Sequence, residues 1–140
     1  IDLLPDNPLR GANDASFGPR FPDMSQPYNR AMVEQALEIA HQHQVKAHKV
    51  VYVAAPGPNL ETRAEYRYMR IIGGDIVGMS TVPEVIVANH MGLPVFAISV
   101  ITDEGFHVEL KPVSLAEIVA VASQAEPKMT AILKELIALQ

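Results

Sequence analysis

Residues Val51–Val85 read VYVAAPGPNLETRAEYRYMRIIGGDIVGMSTVPEV. The run Val50–Ala55 is short, apolar and stopped by Pro56-Gly57-Pro58, the pattern of a buried strand that ends in a tight loop. Thr62 to Ile72 has helical character and halts at Gly73-Gly74. Asp75–Val77 reads as a second short strand. After the loop that follows, Pro83 suits a helix start, Glu84–His90 continues the helix, and Gly92 suits its end. A strand, a helix, a strand and a helix in that order predict an α/β fold, a mostly parallel mixed sheet flanked by helices.

Outside this stretch, Asp6–Pro27 is rich in Pro, Gly, Asn and Asp and predicts a long irregular loop, a type of segment that often carries function. Asn29 to Gln44 repeats its apolar residues at helical spacing through Met32, Val33, Ala36, Leu37 and Ala40. Leu93–Thr102 alternates too little for a half-exposed strand and is expected inside the sheet. Asp103–Pro112 reads as a loop. Val113–Leu139 reads as helix, broken near Pro127. Open parallel sheets hold ligands beyond the C-terminal ends of their strands. A site is therefore expected where the loops after Ala55, Val77 and Thr102 meet.

Composition narrows the choices. With 140 residues the chain has the size of one domain, and 49% hydrophobic residues suffice for a core. A net charge of -5 argues against nucleic-acid binding, which needs a basic face. The chain has no cysteine, which excludes disulfides and thiolate metal sites and suits a cytoplasmic protein. No run is long enough to cross a bilayer, and Asp2, Asp6 and two prolines occupy the first ten residues where a signal peptide would be apolar. Ile1-Asp2-Leu3-Leu4 reads like a strand end joined in mid-flow. His41, His43 and His48 point to no metal site, because helical residues two apart diverge. No serine-hydrolase elbow, Walker loop or dinucleotide fingerprint is present.

The three loops carry distinctive words: Gly57-Pro58-Asn59-Leu60-Glu61-Thr62, then Gly78-Met79-Ser80-Thr81-Val82-Pro83-Glu84-Val85, then Ser99-Val100-Ile101-Thr102-Asp103. Upstream stand Asn7-Pro8-Leu9-Arg10-Gly11, Phe17-Gly18 and Arg20-Phe21-Pro22-Asp23-Met24-Ser25. In order and spacing these resemble the C-terminal half of trimeric-type purine nucleoside phosphorylases. The resemblance implies a partial nucleoside phosphorylase fold in which residues 1–140 are the C-terminal part of a single domain. It implies cleavage of inosine or guanosine by inorganic phosphate, without a cofactor or metal, to free base and ribose 1-phosphate. It also implies a homotrimer whose neighbouring subunit completes the site.

The same resemblance assigns roles. Glu61 would accept the N1 proton of a 6-oxopurine, since an ionised carboxylate has only acceptors. Asp103 stands where the mammalian-type pattern of the family has Asn. In its protonated form it would donate to N7 as a general acid, and ionised it would accept from a 6-amino group. Tyr52 would reach a ribose hydroxyl, Met79 would face the sugar, and Ser80 would donate to phosphate. Leu60 replaces a Phe against the purine face, and Phe21 would enter the neighbouring subunit's ribose pocket. Read from the residues alone, each also has a plainer role. Glu61 suits a first helical turn, Tyr52 and Met79 suit a core, Phe21 can anchor a loop, and Asp103 suits a turn.

Two family features are missing. No His stands near Ser114–Glu117 for the ribose 5′-hydroxyl, although His107 lies just upstream. The family's N-terminal phosphate-binding half has no counterpart here. The expectation is a partial chain, inactive by itself. Two alternatives remain: a methylthioadenosine or adenosine phosphorylase, which Asp103 keeps open, and a non-catalytic purine-binding fragment.

Overall fold

The computed structural model describes residues 1–105 and 112–140. Its elements are α1 (Arg30–Gln42), β1 (Tyr52–Ala54), α2 (Arg63–Ile71), β2 (Ile76–Gly78), α3 (Val82–His90) and α4 (Leu115–Ala138). Strands β1 and β2 pair in parallel, with Tyr52 opposite Ile76 and Ala54 opposite Gly78. Parallel neighbours need a crossover, and α2 supplies it. The ladder continues past both strand ends: Asp75 and Ile76 donate to the Val51 carbonyl, and Ala55 donates to that of Gly78. On the other edge of β1, Asp2 bridges Ala54 in parallel, with Ala54 N–H donating to Ile1 and Leu3 N–H donating to Ala54. The strand-like reading of the first residues agrees with this pairing. Strand β1 is therefore central, and Val53 and Ala54 are fully buried.

Helix α2 begins with a capping box. The Thr62 hydroxyl accepts from the Glu65 N–H, and the Glu65 carboxylate accepts from the Thr62 N–H. It stops before Gly73, whose φ of 96° few other residues adopt. Ser114 and Glu117 form the same reciprocal cap on α4. Helix α1 is capped by Asn29, whose side chain accepts from Met32 N–H.

A second core lies between α1 and α4, where Ala36, Ile39, Ala40, Ile132 and Leu136 interlock. Phe96 and Ile98 pack against this cluster. The long loop before α1 is held onto α3. Asn89 donates to the Pro27 carbonyl at 2.9 Å, and the buried His90 ring bonds Asn13 at 3.1 Å.

Two expectations need correction. Leu93–Thr102 is not a strand of the sheet; among the described residues the sheet consists of β1 and β2. A strand requires a neighbour for its backbone groups, and in this segment the Val95 carbonyl instead takes the Asn29 N–H at the cap of α1. The last helix is also unbroken: α4 runs through Pro127. Proline removes one helical hydrogen bond there. Burial of Ile132 and Leu136 against α1, beyond the proline, offsets that loss. His107 lies outside the described residues.

Candidate functional site

Because β1 and β2 are parallel, their C-terminal loops emerge side by side. The first loop brings Leu60 and Glu61 to the start of α2, and the second brings Met79 and Ser80 to the start of α3. With Val100–Gly105 the two loops line a cavity of about 410 Å³, although Ser80 and Tyr52 are not part of its lining. Leu60, Glu61, Met79 and Asp103 all line it. The convergence expected from topology is present, even though the third segment is not a strand.

Close approach of side chains explains two glycines. A Cβ on Gly78 would sit 2.2 Å from the Tyr52 hydroxyl oxygen. The same hydroxyl accepts a hydrogen bond from the Ser80 N–H at 3.3 Å, so Tyr52 supports the Gly78–Ser80 loop from β1. Gly57 has φ of 40°, and a Cβ there would meet the Met79 sulfur at 2.3 Å. Met79 thus lies across the first loop, with 43% of its surface still exposed.

Between Ser80 and α3 the backbone makes a tight turn. Val82 N–H donates to the Ser80 carbonyl at 2.8 Å, and Thr81 between them has φ of 74° and ψ of −51°. This matches the rare γ-turn, and a β-branched residue seldom occupies it. Strain of this kind concentrates at functional sites. Ser80 and Thr81 hydroxyls lie 3.3 Å apart, and Ser80 is exposed at the positive end of α3.

Asp103 is half-buried and accepts the Thr102 hydroxyl at 2.8 Å. Glu61 is half-buried and lies close to Tyr66, a residue that the sequence reading did not select. Tyr66 lines the same cavity. Burial, then the charge and hydrogen bond of Glu61, then the charge of Asp103, push its phenol up to about 12. The usable signal was spacing: Tyr66 stands one helical turn after the Thr62 cap, on the face that follows Glu61. At the rear of the cavity Arg70 pairs with Asp75. The Val51 N–H, and after it Arg70, hold the Asp75 carboxyl below the usual carboxylate range.

Phe21 is placed apart from this group. It lines a separate cavity of about 690 Å³ with Arg20, Met24, Tyr28 and Val82, which contains neither Glu61 nor Asp103. Its ring is 87% exposed, with the Arg20 guanidinium 5.8 Å from the ring centre. Among the described residues no group of His, Cys, Asp and Glu is arranged to hold a metal. No helix among them is long and apolar enough to cross a membrane.

Residues 2–138 match the family model described as the phosphorylase superfamily. Purine nucleoside phosphorylase 1 of Bacillus subtilis is 42% identical over 138 residues, 99% of this chain and 51% of that protein. The Mus musculus purine nucleoside phosphorylase is 53% identical over 100 residues, 70% of this chain and 35% of that protein. Among solved structures, Schistosoma mansoni purine nucleoside phosphorylase in complex with inosine aligns with a TM-score of 0.86 at 38% identity. The alignment covers 92% of this chain and 47% of that one. The chain thus spans about half the length of the Bacillus subtilis relative.

Proposed function

The chain belongs to the phosphorylase superfamily, and on that premise we propose that it supplies the base- and ribose-binding half of a purine nucleoside phosphorylase. The observation that carries the reading is the cavity in which Glu61, Met79 and Asp103 meet beyond the ends of two parallel strands. The reaction transfers the ribosyl group from the purine to phosphate. The sugar passes through an oxocarbenium-like state while negative charge grows on the departing base. Catalysis requires that this charge be bound more tightly than the neutral base.

Glu61 holds the N1 proton of a 6-oxopurine, which fixes the ring and favours inosine and guanosine. Asp103 faces the N7 side and, when protonated, donates to the base as it leaves. Tyr52 and Met79 contact the ribose, and Leu60 covers the purine face. Ser80 donates to phosphate at the end of α3, where the helix dipole favours an anion. Phosphate is the co-substrate, with no further cofactor. The relatives are about twice as long, and their additional length would supply the remaining phosphate contacts.

Phe21 supports a trimeric assembly. An aromatic ring so exposed, on a loop pinned to α3 by Asn13 and His90, suits insertion into a neighbouring copy. The absence of cysteine fits a reducing cytoplasm.

Product analysis of the full-length protein with inosine, adenosine and methylthioadenosine tests the reading. Phosphate-dependent hypoxanthine release from inosine is expected. Turnover of methylthioadenosine alone would replace this reading with the alternative. The 140-residue chain by itself is expected to give no turnover, and phosphorolysis by it would show that this half suffices.

A further inference from the structure

The loop that carries Phe21 is tied to α3 through one side-chain pair. His90, the last residue of α3, is buried, and its Nε2 lies 3.1 Å from Asn13 Oδ1. An amide oxygen only accepts, so the His90 ring donates. The other end of the same amide donates to the Gly18 carbonyl at 3.1 Å and closes residues 13–18 into a loop. There is no room for a Cβ on Gly18 against the His90 carbonyl oxygen, so the loop backbone rests directly on the end of the helix. Two residues on, Arg20 donates to the carbonyls of Leu9 and Gly11, both at 2.9 Å, and its guanidinium lies over the Phe21 ring.

These contacts run from a buried anchor to an exposed ring. Because Phe21 is 87% exposed, the direction of its ring is set by the backbone that carries it rather than by packing. Resting on the reading above, in which Phe21 enters a neighbouring subunit's ribose pocket, we infer that Asn13 and His90 are positioning residues that hold the Phe21 loop in place for that insertion. Helix α3 starts just beyond Ser80 and ends at His90. One element thus fixes both the loop that the subunit keeps for its own site and the loop that it lends. A misplacement of about 1 Å at such a contact costs on the order of a hundredfold in rate at most, so a loosened anchor has a measurable effect.

The test is a double-mutant cycle in the full-length protein. Asn13→Ala removes both amide bonds at an exposed position. It is expected to lower kcat/KM for inosine about tenfold, most of what losing the aromatic itself costs. In a Phe21→Ala background the same substitution is expected to cause no further loss, because the pair acts only through the ring. Equal losses with and without Phe21 would show a merely structural role and overturn the proposal. So would an unchanged kcat/KM for Asn13→Ala beside a Phe21→Ala variant that has lost activity. Full activity in Phe21→Ala itself, or a wild-type protein that does not cleave inosine, would overturn the reading on which the proposal rests. A thermal melt checks the folding of Asn13→Ala. A collapsed melt shifts the same cycle to Asn13→Asp, which keeps the acceptor for His90 and loses only the bond to Gly18; a smaller loss is then expected, again absent without Phe21.

Discussion

The Tyr52 hydroxyl accepts the Ser80 N–H at 3.3 Å and lies where any side chain on Gly78 would have to go. One strand thus supports the loop that leaves its neighbour. Gly78→Ala would drive a methyl group to 2.2 Å from that oxygen, a distance real contacts do not reach. The substitution is expected to cost about 1–3 kcal/mol of stability, as overpacking does. It should also raise KM for the nucleoside by displacing Tyr52. Urea unfolding and steady-state kinetics measure both, and unchanged values would show that the loop is not supported from β1.

Phe21 gives a sharper separation of stability from function. Its exposure leaves little to lose within one subunit. Phe21→Ala is expected to change stability by less than about 0.5 kcal/mol, as surface substitutions do. Nucleoside turnover should nevertheless fall by about tenfold or more, the scale of losing an interface aromatic. Full activity in the variant would remove Phe21 from the site.

Tyr66 predicts a pH dependence. Its phenol ordinarily titrates at 10.0 and here is pushed up to about 12 by burial first and by Glu61 next. A raised value means that the folded state prefers the neutral phenol. The associated stability is complete below pH 10 and is lost as pH rises through 12. Glu61→Gln removes a neighbouring charge and is expected to lower the Tyr66 midpoint. A ring-carbon NMR titration reads it directly, and an unmoved midpoint would separate the two residues.

The core between α1 and α4 should behave as a well-packed interior. Ile132 is 2% exposed and sits among Ala36, Ile39 and Ala40. Ile132→Ala is expected to cost about 2–5 kcal/mol. Denaturant midpoints check this, and a cost well below 1 kcal/mol would mean that the helices pack loosely.

Much of this arrangement was legible in the sequence because local chemistry marks it. Pro56–Pro58, Gly73 and Pro83 punctuate the elements where the strands and helices begin or end. The parallel strands then dictate where their loops lie, which brings Glu61 and Met79 together. What was not legible depends on partners distant in sequence. Apolar Leu93–Thr102 looks like a buried strand, but strand pairing is decided by which backbone lies alongside, and Asn29 claims Val95 instead. Pro127 looks like a helix stop, but Ile132 and Leu136 hold the helix together from beyond it. Tyr66 passed as one of two tyrosines in α2. Its significance appears only when Glu61 and Gly105 are seen on either side.

Glu61 is the residue on which the assignment of the purine site rests most directly. The decisive measurement is kcat/KM for phosphate-dependent cleavage of inosine by the full-length protein and its Glu61→Ala variant. A loss of about a hundredfold or more is predicted, the scale of removing a group that stabilises charge in the transition state. A near-normal value would contradict the assignment of this cavity as the purine site.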